Sequence, residues 1–160
     1  KDIIPIFVAI IRKFKNMSNL IHCFVPFENE SSTRHTIASL RQNKRVGAIH
    51  LMTTTSEKKE FEGCPVISVK NYTSTGTFSQ IAQYADAPYI LLYTKTAPLE
   101  LGYRALERMT DFMLPGTGMV YSDFYEWKDG ELKKHPVIDY QWGSVRDDFD
   151  FGSLLLFSTR

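Results

Sequence analysis

Residues 89–93 form an unbroken apolar and aromatic run of strand length, Tyr-Ile-Leu-Leu-Tyr, which suits a strand buried on both faces of a parallel sheet. A polar turn, Thr94-Lys95-Thr96, ends the run. The pattern that follows predicts a helix with Pro98 in its first turn and its end at Pro115-Gly116. Its apolar positions recur at helical spacing, at Leu101, Ala105, Leu106, Met109, Phe112 and Met113. Because open α/β sheets bind ligands beyond the carboxyl ends of their strands, this turn is an expected site.

The preceding part of the chain alternates in the same way between strand-like and helical segments. Strands are predicted at residues 20–26, 46–52 and 65–69. A helix with Ser31 or Ser32 as its N-cap follows the first strand, and a helix that Gly76 leads into follows the third. The order is therefore β-α-β-β-α-β-α, which predicts an α/β fold with a mainly parallel sheet, right-handed crossovers and helices on both faces.

The later part of the chain changes character. Asp129-Gly130 lies between strand-like runs at residues 119–127 and 131–138, and this pair predicts an antiparallel hairpin. A polar stretch follows, and residues 154–157 form one further strand.

The two ends of the chain suggest a domain with an extension. Residues 3–11 are apolar and are followed by the basic residues 12–15, so residues 1–16 form either an upstream extension or a short amphipathic helix that rests on the domain or on a membrane surface. Residues 17–160 form the domain. The chain stops directly after a strand-like run, which suggests a fragment of a longer protein.

Composition argues against several classes of function. Formal net charge is +1 with no basic block beyond residues 12–15, so nucleic acid is not an expected partner. No stretch approaches the ~20 apolar residues of a membrane span. Cys23 and Cys64 lie in apolar runs, and we interpret them as small core residues of a cytoplasmic protein. The 4 histidines have no metal-ligand spacing, and no phosphate-binding glycine loop or nucleophile elbow occurs.

Three motifs stand in order along the α/β part of the chain: Pro26-Phe27-Glu28-Asn29-Glu30, Ser39-Leu40-Arg41-Gln42 and Gly76. They resemble a Pro-x-Tyr-Asn-Glu-like loop, a Ser-Leu-x-x-Gln helix (with the Gln one place early) and a glycine at a helix start in family 2 glycosyltransferases. The likeness covers about residues 20–113. It implies the GT-A fold, a Rossmann-related three-layer α/β/α arrangement with a mostly parallel sheet and an antiparallel hairpin toward the C-terminus, which binds a nucleotide sugar.

Two acidic sites of that family are missing here. In the family, Asp-x-Asp after the fourth strand holds a divalent cation on the donor diphosphate, and carboxylates suit hard Mg2+ or Mn2+. The matching positions are Thr94 and Thr96, with Lys95 between them. Thr53 stands where the family has an acidic residue that contacts the nucleotide. The resemblance therefore implies a donor site without its usual metal ligands.

The turn at residues 94–96 has three interpretations. In the first, Thr96 caps a helix that starts at Ala97, and Lys95 is solvated. In the second, Lys95 replaces the metal as the counter-charge of a diphosphate, helped by backbone N–H groups at the helix start. In the third, the nucleotide site has decayed and the domain serves binding or assembly.

The remaining candidate residues surround the expected cleft. The full set expected to bind the donor is Pro26, Glu28, Asn29, Thr53, Asn71, Thr94, Lys95, Thr96 and Asp123. Asp147, Asp148 and Asp150 form a late acidic cluster, and Asp148 and Asp150 are the candidates for the catalytic base that deprotonates an acceptor hydroxyl. This cluster is also the alternative site for Mg2+ or Mn2+; no residue is assigned to a metal otherwise.

The resemblance implies a glycosyltransferase domain. The expected reaction moves a sugar from a nucleoside-diphosphate sugar to a glycan or lipid-linked acceptor, in the cytoplasm or at its membrane surface, without a certain metal requirement. The alternative is a non-catalytic, transferase-like module whose cleft binds a partner or a glycan.

Overall fold

The computed structural model describes residues 20–55, 57–138, 143 and 149–159. In these ranges the strands are β1 (Ile21–Pro26), β2 (Val46–Thr53), β3 (Glu60–Phe61), β4 (Cys64–Ser68), β5 (Tyr89–Tyr93), β6 (Met119–Val120), β7 (Phe124–Lys128), β8 (Glu131–His135) and β9 (Leu154–Ser158). The helices are α1 (Glu30–Arg41), α2 (Thr75–Tyr84) and α3 (Ala105–Asp111). The predicted extension, residues 1–16, lies outside the described residues, and so do Asp147 and Asp148.

Seven of the described strands form one sheet in the order β3-β4-β2-β1-β5-β9-β6. Strands β4, β2, β1 and β5 run parallel, whereas β3 and β9 are antiparallel to β4 and β5. The predicted α/β class with a mostly parallel sheet is confirmed. The chain adds β2 and β4 on one side of β1 and then places β5 on the other side, so the strand order reverses between β1 and β5. Such a switch point opens a crevice at the carboxyl ends of the strands.

Side chains that alternate along the strands supply a core on each face of the sheet. One core lies between the sheet and helices α1 and α3 and includes Val25, Leu40 and Leu106. The other lies against α2 and includes Phe24 and Ile81. Both cysteines are buried in the first core with free thiols, as the sequence predicted. Helices thus cover both faces of the sheet. None of the described helices is long and apolar enough to cross a membrane.

The helix predicted after β5 starts later than its sequence pattern indicated. The pattern placed Pro98 in the first turn, but α3 starts at Ala105. The intervening segment runs along α1, where the backbone N–H of Leu99 donates to Thr36 Oγ1 at 3.0 Å. Arg104 then adopts a left-handed conformation with φ 52°. Because these residues bind to α1 rather than to each other, the first part of the predicted helix does not form.

The ends of the helices also differ from the prediction. The N-cap of α1 is Asn29, not Ser31 or Ser32, because the Asn29 side chain accepts a hydrogen bond from the Ser32 N–H. Helix α3 ends at Asp111, ahead of the predicted stop signal at Pro115-Gly116.

The hairpin predicted from Asp129-Gly130 is confirmed as the separate two-stranded sheet β7-β8. Both turn residues have positive φ, 55° and 79°, which a type I′ turn requires. The run predicted as one strand at residues 119–127 is split, because Met119–Val120 pairs with β9 in the main sheet before the chain turns into the hairpin. The second run is a strand only as far as His135.

Candidate functional site

The carboxyl end of β1 carries the predicted Glu28-Asn29 pair. Pro26 is the last residue of β1 and is buried, and Glu28 follows as an exposed carboxylate. Asn29 Oδ1 accepts a hydrogen bond from the Ser32 N–H at 3.0 Å, so this side chain holds the loop on the first turn of α1. Glu28 is therefore an exposed acidic group at this end of the sheet, and Asn29 fixes the loop that carries it.

Tyr72, which is not among the residues predicted from the sequence, lies beside Glu28. Burial, followed by the negative charge of Glu28, raises the pKa of Tyr72 to about 12, while a contact with Thr54 acts in the opposite direction. The hydroxyl is shielded from solvent, and no partner among the described residues meets the geometry of a hydrogen bond. The loops after β1, β2 and β4 thus meet around a phenol that stays protonated at neutral pH.

Thr53 and Asn71, both predicted to bind the donor, shape these loops. Thr53 is fully buried, and its Oγ1 accepts a hydrogen bond from the Thr55 N–H at 3.3 Å. Asn71 Oδ1 accepts a hydrogen bond from the Thr73 N–H at 3.0 Å, which closes a tight turn after β4. Both side chains fix the backbone around the contact between Glu28 and Tyr72.

Thr94 and Thr96 follow β5 on the other side of the switch point. The backbone N–H of Thr94 donates to the Ser153 carbonyl at 2.9 Å, and its hydroxyl reaches the same oxygen at 3.4 Å. Thr96 is exposed. The prediction that Thr96 caps a helix is wrong, because α3 starts only at Ala105. Lys95 therefore does not stand at the start of the helix that follows β5, contrary to the second interpretation.

Lys95 is bound to the hairpin. Its Nζ lies 2.7 Å from Glu126 Oε1, with the two side chains 44% and 39% exposed, so the expectation of a merely solvated lysine is wrong. The ammonium also lies 5.7 Å from the centroid of the Phe124 ring, within the range of a cation–π contact. The hydrogen bond and charge of Lys95 lower the pKa of Glu126, so this carboxylate is ionised at neutral pH.

His135 completes this group of side chains. Its Nε2 lies 3.5 Å from Glu126 Oε2, an ion-pair distance that is attractive when the imidazole is protonated. Its ring stacks on Phe124, with centroids 4.8 Å apart and planes inclined by 7°. We refer to Lys95, Phe124, Glu126 and His135 as the Lys95 cluster. It joins the carboxyl end of β5 to one face of the hairpin.

Asp123 and Asp150, the described acidic candidates outside the Lys95 cluster, each accept a hydrogen bond from a nearby backbone N–H. Asp123 Oδ1 accepts a hydrogen bond from the Val137 N–H at 2.8 Å, and its Oδ2 lies 3.7 Å from Lys134 Nζ. Asp150 Oδ1 accepts a hydrogen bond from the Gly152 N–H at 2.8 Å. Asp123 therefore fixes the base of the hairpin, and Asp150 fixes the turn that leads into β9.

The described residues do not fit a donor-bridging metal. Mg2+ and Mn2+ favour several oxygen ligands, among them anionic carboxylates. Within the described ranges, no group of three or more His, Cys, Asp or Glu side chains could hold a metal ion. Thr94 and Thr96 carry no charge, and the cationic group beside them is the ammonium of Lys95.

Comparison with known proteins adds no family assignment. Neither a scan against protein-family models nor a search of the curated proteins found a match to this chain.

Sequence reasoning missed Glu126, His135 and Tyr72. The strand alternation of β7 puts Phe124 and Glu126 on one face, and the hairpin register places His135 opposite Phe124. The strand alternation therefore shows which side chains share a face of the hairpin. It does not show that this face contacts Lys95, because the hairpin is joined to the main sheet only through a loop whose path the sequence pattern does not give. Tyr72 had a weaker signal: it directly follows Asn71 in the loop after β4.

Proposed function

We propose that the chain is a glycosyltransferase domain of GT-A type that binds a nucleoside-diphosphate sugar at the carboxyl ends of β1 and β5. The position of Lys95 carries the proposal. This cation lies two residues after the end of β5 at the switch point, and the exposed Glu28 lies two residues after the end of the neighbouring β1. Ligands of open α/β sheets bind at such a point, and a diphosphate needs a cationic partner there.

The two sides of the crevice then have different tasks. On the β1 side, Glu28 accepts hydrogen bonds from the hydroxyl or N–H groups of the nucleoside, while Asn29, Thr53 and Asn71 hold the surrounding loops. A carboxylate suits this task because it is an acceptor for the polar edge of a base or for ribose. The Tyr72 hydroxyl lies next to Glu28 but is shielded from solvent, so it belongs to the surroundings of this carboxylate and not to the ligand contacts.

On the β5 side, Lys95 neutralises part of the diphosphate charge without a metal. Thr94 and Thr96 flank it with neutral hydroxyls, which can donate to phosphate oxygens but do not repel them.

Asp123 stands at the base of the neighbouring hairpin as a candidate contact for the sugar. Asp148 and Asp150 remain the proposed bases for the acceptor hydroxyl, which belongs to a glycan or a lipid-linked sugar. With a lipid-linked acceptor, the domain works in the cytoplasm at a membrane surface.

A non-catalytic, transferase-like module is the second candidate. One observation favours it: the charge of Lys95 is already matched by Glu126 at 2.7 Å. In such a module the crevice would have lost its donor and would serve a partner or a glycan.

Calorimetric titration separates the two candidates. The panel consists of nucleoside diphosphates and their sugars, each added with and without Mn2+ to the wild-type chain, to Lys95→Ala and to Lys44→Ala. Lys44 is an exposed lysine in the loop before β2, at the opposite edge of the sheet. A donor site predicts metal-independent binding that Lys95→Ala loses and Lys44→Ala keeps. Binding that survives in Lys95→Ala would overturn the proposed role of Lys95, and no binding by the folded wild-type chain would favour the non-catalytic module.

A further inference from the structure

The hairpin has two chemically different faces. Strand pairing places Phe124 opposite His135 on the face that carries the Lys95 cluster. The other face carries Tyr125 and Trp127, and Trp127 is 73% exposed. Because β7 and β8 form a sheet of their own, the hairpin does not share backbone hydrogen bonds with the main sheet within the described ranges. Side chains therefore hold it in place.

Two contacts between described residues join the face that carries the Lys95 cluster to the turn after β5 and the turn before β9. The first is the ion pair between Lys95 and Glu126, reinforced by the cation–π contact of Lys95 with Phe124. The second is the packing of Phe124 on Gly152, where a methyl group on the glycine would lie 3.1 Å from the ring. Lys95 thus has two tasks: it is the proposed counter-charge of the donor, and it is the polar attachment of the hairpin.

A diphosphate and Glu126 compete for the same ammonium. Both are anionic, and two like charges that share one cation at hydrogen-bond distance repel each other. A diphosphate carries more charge than a carboxylate and so gains more from Lys95. When Glu126 leaves Lys95, its carboxylate keeps the cationic Lys133 as its cross-strand neighbour. The exchange of partners therefore does not leave Glu126 as an isolated charge.

We infer that Glu126 occupies the place of the donor diphosphate on Lys95 in the ligand-free protein, and that donor binding displaces it and releases the hairpin from β5. The inference rests on the proposed donor site. Glu126 is then an internal competitor of the donor. In the ligand-free protein its carboxylate occupies the β5 side of the crevice, on Lys95. Weakly bound monoanions would not displace the Glu126 carboxylate. This competition therefore makes the site selective for ligands that carry a diphosphate.

The test compares the wild-type chain with Glu126→Gln and with the matched control Glu131→Gln. Glu131 lies on the same hairpin and loses the same charge, but it pairs across the strands with Lys128 rather than with Lys95. The probes are UDP, GDP and inorganic pyrophosphate, titrated by calorimetry without metal. Hydrogen exchange of the hairpin amides at residues 124–135 is followed with and without the tightest-binding probe.

We expect Glu126→Gln to bind the probe about two- to fivefold more tightly, which is the range that an exposed ion pair permits. Its hairpin amides exchange faster than those of wild type before any ligand is added, and addition of the probe accelerates exchange in wild type. Glu131→Gln behaves as wild type in both measurements.

The failures of the two proposals are distinguishable. Equal affinity in wild type and Glu126→Gln, or a hairpin whose exchange does not respond to the probe, overturns the displacement while the donor site stands. No binding to either protein overturns the donor site, and the displacement with it. Equal tightening in Glu131→Gln would assign the effect to net charge and would also overturn the role of Glu126.

Discussion

His50 of β2 stacks on Phe24 of β1, with the ring centroids 4.9 Å apart and the planes inclined by 15°. Within the described part of the chain neither ring nitrogen of His50 has a hydrogen-bond partner, although the residue is only 9% exposed. His22 and Tyr84 are the other rings against it, at 5.7 and 5.5 Å. Burial first, and then the charge of His22, lower the pKa of His50 from its ordinary value of 6.5. A buried histidine is thus kept neutral inside the sheet.

We expect this histidine to make the protein less stable in acid. The unfolded chain binds the proton with the ordinary pKa of about 6.5, whereas the folded protein binds it only at lower pH. Between the two values the unfolded state carries more protons, so the free energy of unfolding falls as the pH drops below about 6.5. We expect the free energy of unfolding, measured by urea unfolding, to be lower at pH 5 than at pH 7. His50→Phe should reduce this slope, and His35→Phe, at an exposed position on α1, should keep it. An unchanged slope in His50→Phe would contradict the assignment.

The same substitution should not weaken the protein at neutral pH. Phenylalanine keeps an aromatic ring on Phe24 and removes two buried nitrogen atoms that lack partners. Replacement of an unpartnered buried polar group by an apolar one is neutral or stabilising, here by up to about 1 kcal/mol. The measurement is the midpoint of thermal unfolding at neutral pH. A clear loss of stability in His50→Phe would mean that the imidazole has a partner after all.

Asn29 gives a second test of stability, since it is the N-cap of α1. Asn29→Ala removes the acceptor of the Ser32 N–H and should lower the free energy of unfolding by about 1 kcal/mol. Asn29→Asp is the control, because it keeps an acceptor oxygen and adds negative charge at the helix N-terminus, where it is favourable. Urea unfolding of the three proteins measures both effects. If both variants lose the same free energy of unfolding, the stabilisation comes from the Asn29 amide group itself and not from its acceptor oxygen at the N-cap.

Gly152 should be intolerant of a side chain. Its φ is +83°, and an added methyl group would lie 3.1 Å from Phe124 Cδ1. Gly152→Ala should therefore cost about 1–2 kcal/mol from the left-handed backbone alone, and more if Phe124 cannot move. Gly102→Ala is the matched control, because the space around Gly102 is open. The prediction fails if thermal unfolding of Gly152→Ala and Gly102→Ala shows the same midpoint.

The sequence predicted the sheet well because its strands are specified locally. Residues 89–93 are apolar throughout, as a strand with neighbours on both faces requires, and Asp129-Gly130 determines a turn by its backbone preference alone. The helix after β5 was misplaced because apolar residues such as Leu101 fit a helical period and are also partly buried in an extended segment. The extended segment forms here because side chains on α1, such as Thr36, accept hydrogen bonds from its backbone. These acceptors are far away in the sequence.

The candidate site was predictable only in part, for a similar reason. Glu28 and Lys95 each follow a parallel strand. In open α/β sheets ligands bind beyond the carboxyl ends of such strands, so the sequence alone places both residues at that end of the sheet. The partners of these residues come from elements whose positions no local pattern gives. Glu126 reaches Lys95 from a hairpin outside the main sheet, and Tyr72 reaches Glu28 from the loop after a strand two places away in the sheet order. Such contacts depend on tertiary packing, not on local propensity.

A restored pair of carboxylates tests the alignment of residues 94–96 with the metal-binding motif. In Thr94→Asp/Thr96→Asp, two carboxylates would flank Lys95 at the end of β5 and supply the anionic oxygens that Mn2+ favours. We expect Mn2+ to bind this variant roughly tenfold more tightly than the wild-type chain, as measured by calorimetric titration of Mn2+ alone and then with UDP. Thr73→Asp/Thr75→Asp is the matched control, with the same spacing and charge at exposed positions before and at the start of α2. If both double variants bind Mn2+ equally, the gain reflects surface charge. If neither gains affinity although both are folded, residues 94–96 do not occupy the position of the motif, and Lys95 loses its strongest argument as a substitute for the metal.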